Sequence, residues 1–497
     1  MKRPNILFIM SDDHAANAVS LYGSRIAKVF GTPNIDRIGK EGALLKCCYC
    51  NNSICAPSRA TILTGQHSHR NGVRTLRDTL STELNTFPKI LQGSDYQTAI
   101  VGKWHLRSQP QGFNYYDILS GQGLYFDPYF KDKDYNWSLC ESREKTLGKQ
   151  YKGYATDIIT DKCINWLDTR DRSKPFLLLC HFNAPHEPFE YHPRYEHILD
   201  GIEIPEPQSL WEDKSHRSLG SRGFGSSVSE HNPKRNVVGK MSKEDYPTGQ
   251  LDLTGLDAKG RTRAAYQKYL RDYLRTVKGI DDNVGRLTNY LENEGILDDT
   301  IVIYTSDQGM FLGEHDYIDK RWIYEESIRM PLLIRFPGDI SPGIQMDDIV
   351  TNVDFAPTLL DYTGLEKTDE MQGRSFRSLL GGKTLEDWPN IAYYRYWTHL
   401  SSLHNVPAHY GIRTKEYKLI FFYGLPLDIN DDSEEPTPAG WEMYDLKKDP
   451  EELHNVYSHP DYAGIVKELK NCLLDIKLDI GDSDERYPGL IKRVNET

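Results

Sequence analysis

Four apolar runs, each ending in a polar cluster, constrain this 497-residue chain more than any other feature. Ile6 to Met10 leads into Ser11-Asp12-Asp13-His14, and Tyr96 to Val101 leads into Gly102-Lys103-Trp104-His105. Phe176 to Phe182 leads into Asn183-Ala184-Pro185-His186, and Thr300 to Thr305 into Ser306-Asp307-Gln308-Gly309. Short continuous apolar runs read as strands buried on both faces. Helical patterns lie between them. One opens at Pro33 behind Thr32, one runs from Thr156 to Leu167, and a long stripe runs from Tyr266 to Leu291. Alternating strands and helices predict an α/β fold, a large and mainly parallel sheet sandwiched by helices. Ligands in such sheets bind at the carboxyl ends of the strands, where these polar clusters fall.

Ala43 to Tyr49 reads as a further strand. Residues 203–258 break the rhythm with scattered prolines and a Gly/Ser-rich stretch, a long insertion loop expected to wall the substrate cleft. After Gly364 the texture changes to aromatic strands around Tyr393, Tyr410, Phe421 and Trp441, followed by a helix from about Tyr462 to Leu478. The expected division is a catalytic α/β domain over 1–365 and a smaller C-terminal subdomain, an antiparallel sheet plus helix, over 366–497.

The 60 Lys and Arg against 72 Asp and Glu give a net charge of −12, which argues against nucleic acid or an anionic membrane surface as partner. No apolar run approaches the roughly 20 residues of a membrane span. The opening Met1 to Met10 reads as a strand rather than a leader, so the expected location is cytoplasmic as written, and periplasmic or secreted if a leader has been removed. The 8 cysteines need no disulfide framework in a chain of this size. Cys163 and Cys180 sit in apolar segments as small hydrophobes. Cys47, Cys48 and Cys50 lack the paired spacing of a zinc site and fit alternation on a strand.

Cys55 is different. Cys55-Ala56-Pro57-Ser58-Arg59-Ala60-Thr61-Ile62-Leu63-Thr64-Gly65 resembles the C-x-P-S-R-x-x-x-L-T-G signature of the formylglycine-dependent sulfatases, in the alkaline phosphatase superfamily. Its six tightly restricted positions, Cys, Pro, Ser, Arg, Thr and Gly, give chance odds on the order of 10⁻⁵ in this chain. The resemblance implies that a formylglycine-generating maturation enzyme oxidises Cys55, whose hydrated aldehyde then attacks sulfur. A helix N-terminus suits such a nucleophile, because backbone N–H groups and the dipole favour negative charge there.

The resemblance carries over residue by residue. Asp12, Asp13, Asp307 and Gln308, with the Cys55-derived oxygen, match the positions of a calcium shell, Gln308 standing where the family more often has Asn. Arg59 supports the nucleophile. Lys103 and Lys320 neutralise the sulfate, Lys320 lying in a segment like the family's G-E-H…K. His105 takes the nucleophile's proton, and His186 is the general acid that protonates the departing alkoxide. Arg59, Lys103 and Lys320, the metal and the two histidines together offset the carboxylates and a sulfate monoanion. Motifs such as Gly112-Phe113-Asn114 and Ala408-His409-Tyr410 look most like bacterial carbohydrate sulfatases, N-acetylglucosamine-6-sulfatase-like or mucin-desulfating. A sulfated saccharide is therefore the expected substrate, with His399 and Arg413 as candidate sugar contacts. The competing readings are a phosphonate monoester or phosphodiester hydrolase of the same superfamily and a catalytically silent glycan-binding homologue.

Overall fold

The computed structural model describes residues 3–137, 147–401, 404–429 and 433–497; Cys140 lies outside the described residues. Ten strands build the large sheet: β1 (Asn5–Ser11), β2 (Ala43–Leu45), β3 (Gln97–Gly102), β4 (Tyr115–Leu119), β5 (Tyr129–Lys131), β6 (Lys149–Gln150), β7 (Phe176–His181), β8 (Thr300–Ser306), β9 (Leu332–Arg335) and β10 (Ile344–Met346). Their order is β10-β2-β9-β8-β1-β7-β3-β4-β5-β6. The central block β8-β1-β7-β3-β4 is parallel throughout. Antiparallel pairs enter on both flanks, where β9 joins β8 and β5 joins β4, so the sheet is mixed and mostly parallel.

Period-2 alternation divides the core between the two faces. Ile6, Phe8 and Met10 of β1 join one cluster with Leu177, Leu179, Ile301 and Ile303. Leu7 and Ile9 join the other with Leu178, Cys180, Val302 and Tyr304. The first face is covered by helix α2 (Cys55–Thr64), and the second by α3 (Ala155–Thr169) and α4 (Ala258–Asn293) together with α1 (Pro33–Lys40). All ten residues of α2 are buried, so the helix that begins at Cys55 is itself part of the core.

The expected strand over Ala43 to Tyr49 is two strands in different sheets. Ala43–Leu45 stays in the large sheet, whereas Cys48–Tyr49 pairs in parallel with Val350–Thr351. The insertion is folded down rather than looped out: Ile204, Leu210, Val228, Val237 and Met241 pack against Tyr266, Tyr269 and Tyr273 of α4. The C-terminal sheet is an antiparallel meander of β11 (Ile391–Tyr396), β12 (His409–Thr414), β13 (Tyr417–Phe422) and β14 (Gly440–Asp445). One face, with Tyr394, Ile420, Phe422 and Tyr444, continues the main core. The other, with Tyr393, Tyr410, Phe421 and Trp441, packs on Leu469 and Leu473 of α5 (Ala463–Asp479). A last helix, α6 (Pro488–Glu496), adds Leu490 to that layer. Among the described residues no helix is long and apolar enough to cross a membrane.

Candidate active site

The four central strands deliver the expected residues to one place. Beyond β1, Asp13 adopts φ +66°, an unfavourable left-handed conformation for a residue with a side chain, and its N–H donates to Asp307 Oδ1 at 3.2 Å beyond β8. Beyond β3, Gly102 is obligatory, since a Cβ there would stand 2.0 Å from the His181 carbonyl oxygen of β7. That close approach brings Lys103 in, fully buried, to ion-pair with Asp12 Oδ2. Lys320 Nζ pairs with Asp13 Oδ2 at 2.5 Å. Arg59, one turn into α2, donates through Nε to Asp307 Oδ2 at 2.9 Å and through Nη1 to the Lys103 carbonyl at 3.0 Å, while Nη2 is buried without a partner.

Cys55 lies at the first position of α2, and its Sγ donates to Asp12 Oδ1 at 3.3 Å. One atom each of Asp12, Cys55 and His186 falls within 4.8 Å of the others. Burial, and then the charge of Asp12, push the Cys55 thiol up to about 12. A thiol so protonated is a poor nucleophile, which disfavours direct thiolate chemistry at this position. His186 donates through Nδ1 to the Glu187 carbonyl at 2.7 Å, which leaves Nε2 facing Asp13 Oδ2 at 3.6 Å. Burial, and then Lys320, lower its basicity. Burial and the charge of Lys103 hold His105 well below the usual histidine range, and its Nδ1 is buried without a partner. His105 also lines a cavity of about 640 Å³ with Trp104, Arg107, Lys131 and Trp137.

Carboxylate oxygens of Asp12, Asp13 and Asp307 lie within 4.8 Å of one another. Burial and the charge of Asp12 push Asp307 up to about 7, the signature of carboxylates crowded beyond what Arg59 and Lys103 offset. Gln308 joins them, with Nε2 donating to Asp13 Oδ1 at 2.5 Å and Oε1 buried without a partner. Three carboxylates and an unsatisfied carboxamide oxygen form a hard, all-oxygen donor set that fits a divalent cation.

His399 and Arg413 are not brought to this cluster. His399 is fully buried, accepting from Ala408 N–H and lying 3.0 Å from the Glu435 carbonyl, so both ring nitrogens serve the backbone. Arg413 pairs with Glu325 at 3.0 Å and packs over the Tyr49 ring. Burial and these local bonds fit the two side chains to packing and capping of the small sheet.

Two contributors carried no motif. Gln122, between two glycines, donates to Asp12 Oδ2 at 2.5 Å and accepts from Lys103 at 2.7 Å. Arg235 of the insertion pairs with Glu187 at 2.6 Å and Asp319 at 3.4 Å, the neighbours of His186 and Lys320. The flanking glycines were the one local signal for Gln122; for Arg235 there was none.

Comparison with known proteins agrees with this geometry. A sulfatase family model matches residues 4–365, and a model for the N-sulphoglucosamine sulphohydrolase C-terminal region matches residues 313–479. An N-acetylglucosamine-6-O-sulfatase of Bacteroides thetaiotaomicron is 43% identical over 97% of this chain and 88% of its own length. A solved structure, described as a complex with its substrate D-glucosamine-2-N,6-O-disulfate, is 40% identical with a TM-score of 0.87, covering 98% of this chain and all of that one. A phosphonate monoester hydrolase from Silicibacter pomeroyi shares the fold at a TM-score of 0.71 and 19% identity, covering 98% of this chain and 97% of that one. The match over most of the chain and the identity to a sulfatase together establish that the chain belongs to the sulfatase family, enzymes that hydrolyse sulfuric esters.

Proposed function

We propose that this sulfatase removes a 6-O-sulfate from an N-acetylglucosamine-type saccharide, with Cys55 matured to formylglycine by a formylglycine-generating enzyme and calcium as the resident cation. The observation that carries the reading is the seat of Cys55, 3.3 Å from Asp12 in a buried cluster of three carboxylates and two lysines. The 43% identity to an N-acetylglucosamine-6-O-sulfatase supports the sugar and the position. Asp12, Asp13, Asp307 and Gln308 would hold Ca²⁺, which supplies Lewis-acid polarisation of the sulfate. Oxidised Cys55 would supply, as an aldehyde hydrate, the oxygen nucleophile that its own protonated thiol cannot.

The side chains of this chain do the rest. Lys103 and Lys320, already turned into the cluster, neutralise sulfate oxygens as the bound anion competes for their contacts with Asp12 and Asp13. Arg59 fixes Asp307 and the Lys103 backbone, and its spare Nη2 N–H is available to an oxyanion on residue 55. His105 receives a proton through its unpartnered Nδ1. His186, its tautomer set by the Glu187 carbonyl, delivers a proton from Nε2 to the leaving sugar oxygen.

A screen of defined sulfated saccharides read by released sulfate, beside matched phosphate and phosphonate esters, tests the substrate. Preference for a phosphate or phosphonate would overturn it. Intact mass tests maturation: conversion lowers the mass by roughly 18 Da, counted from the atoms exchanged. An unmodified Cys55 after co-expression with a maturation enzyme would point to a silent glycan-binding protein instead.

A further inference from the structure

A second group of metal-ligating side chains, separate from the catalytic carboxylates, is buried between the two sheets. His315 follows the short strand Phe311–Leu312, Glu326 lies on the helical turn Glu325–Ile328, and Glu452 follows the meander. One ligand atom of each lies within 4.8 Å of the others. His315 is fully buried and Glu452 is 1% exposed.

The hydrogen bonds around His315 fix what it offers. Glu212, from the insertion, stands 2.6 Å from Nδ1. Arg217 Nη2, which also donates to Glu212 Oε2 at 3.0 Å, lies 2.8 Å from the same nitrogen, the longer of its two polar contacts. An anionic acceptor at 2.6 Å holds the proton on Nδ1, so Nε2 presents a lone pair. That lone pair faces Glu326 Oε2 at 3.8 Å, and neither atom has a hydrogen-bond partner. Glu452 turns Oε1 to Lys418 Nζ at 2.7 Å and accepts the Glu325 N–H at Oε2, 2.8 Å, so it stands beside the pair as an ionised carboxylate. Arg413 answers Glu325 at 3.0 Å and Lys418 answers Glu452, whereas Glu326 has no lysine or arginine ion pair among the described residues. Buried acceptors that converge in this way require a cation or a proton between them.

We propose that His315 Nε2, Glu326 and Glu452 form a second divalent-cation site, of the zinc class. A carboxylate behind the ligating imidazole, here Glu212, is the usual support for such a ligand. Zinc with bonds of about 2.0–2.2 Å in a tetrahedral shell spaces its ligand atoms about 3.4 Å apart, so the observed 3.8 Å closes with a small shift. One nitrogen and two carboxylates in a buried seam do not supply the six to eight oxygens that calcium takes. The two sites therefore differ in metal as well as in place. The ion would clamp the loop that runs on to Lys320 against the C-terminal sheet.

The test is metal uptake by the full chain, saturated with Ca²⁺ to fill the catalytic cluster, equilibrated with Zn²⁺, desalted and analysed by plasma mass spectrometry. The wild type is expected to retain about one zinc per chain and to melt higher with zinc than without it. Glu326→Gln and, separately, Glu452→Gln, both near-isosteric, are expected to lose the zinc and its thermal effect. Wild type that takes up no zinc overturns the proposal without reference to any variant. Zinc retained undiminished in Glu326→Gln also overturns it, placing the ion elsewhere.

Discussion

Replacing His186 by glutamine should divide substrates by how much their leaving groups need a proton. Nδ1 is committed to the Glu187 carbonyl at 2.7 Å, so the catalytic cluster sees only Nε2. Asp13, 3.6 Å away, does not depend on it, because Lys320 and Gln308 each hold that carboxylate at 2.5 Å. The cation cluster should therefore survive the substitution, and what disappears is proton delivery. General acid catalysis contributes about 10²–10⁴-fold, or about 3–5 kcal/mol of barrier. A sugar alkoxide should lose that whole factor, whereas a nitrophenolate, which departs with little help, should lose less than about tenfold. The assay compares kcat/KM for wild type and His186→Gln on N-acetylglucosamine 6-sulfate, by sulfate release, and on 4-nitrophenyl sulfate, with calcium content measured in both proteins. Equal losses on the two substrates, with calcium retained, would refute the assignment.

Other expectations follow from the same contacts. Arg59→Met leaves Asp307 buried without its cation and should cost about 3–5 kcal/mol in denaturant unfolding, more in chelator than in calcium; a cost under about 1 kcal/mol in chelator would contradict the pairing. Chelation of the wild type should lower activity and melting temperature together, with calcium restoring both; full activity after verified metal removal would sink the cation assignment. Burial alone would raise Asp482, but Arg395, His69 and Lys477 hold it at about 2 against an ordinary 3.8. A depressed folded value stabilises above pH 3.8 and is lost between 3.8 and 2, so the pair contributes about 2 kcal/mol at neutral pH. The melting-temperature gap between wild type and Asp482→Asn should accordingly shrink below about pH 4, and a gap indifferent to pH would count against it. His399→Ala and Arg413→Ala should reduce glycan and aryl sulfate turnover equally through stability, and a loss confined to the glycan would restore them as sugar contacts.

The central sheet was legible because β1, β3, β7 and β8 are buried on both faces and therefore read as unbroken apolar runs. The candidate residues Asp12, Asp13, Lys103, His105, His186, Asp307 and Gln308 stood out because each follows one of those strands, where a change from apolar to polar is abrupt, whereas Cys55, Arg59 and Lys320 stood out only through the motifs around them. The Ala43 to Tyr49 segment was not, since a local run of apolar residues does not record that its first half pairs with β9 and β10 and its second with Val350–Thr351. The flanks β5 and β6, at three and two residues, are too short for any periodicity to show. Gln122, marked only by its flanking glycines, and Arg235, marked by nothing, were missed for a related reason: Gln122 reaches Asp12 across 110 positions and Arg235 reaches Glu187 across 48, and neither sits in a patterned segment. For His399 and Arg413 the sequence offers no discrimination, because polar residues beside a small aromatic sheet look the same whether they face a ligand or tie down the chain.

The depth of Cys55 sets an order of events in the life of the protein. Its side chain is 2% exposed, on a wholly enclosed helix, and the carboxylates around it arrive from positions 12 and 307, almost 300 residues apart. A maturation catalyst cannot reach that sulfur once the C-terminal half has docked. The oxidation proposed for Cys55 would therefore belong to the nascent or unfolded polypeptide, and a cell that folded this chain faster than it processed it would accumulate a native but permanently inert product.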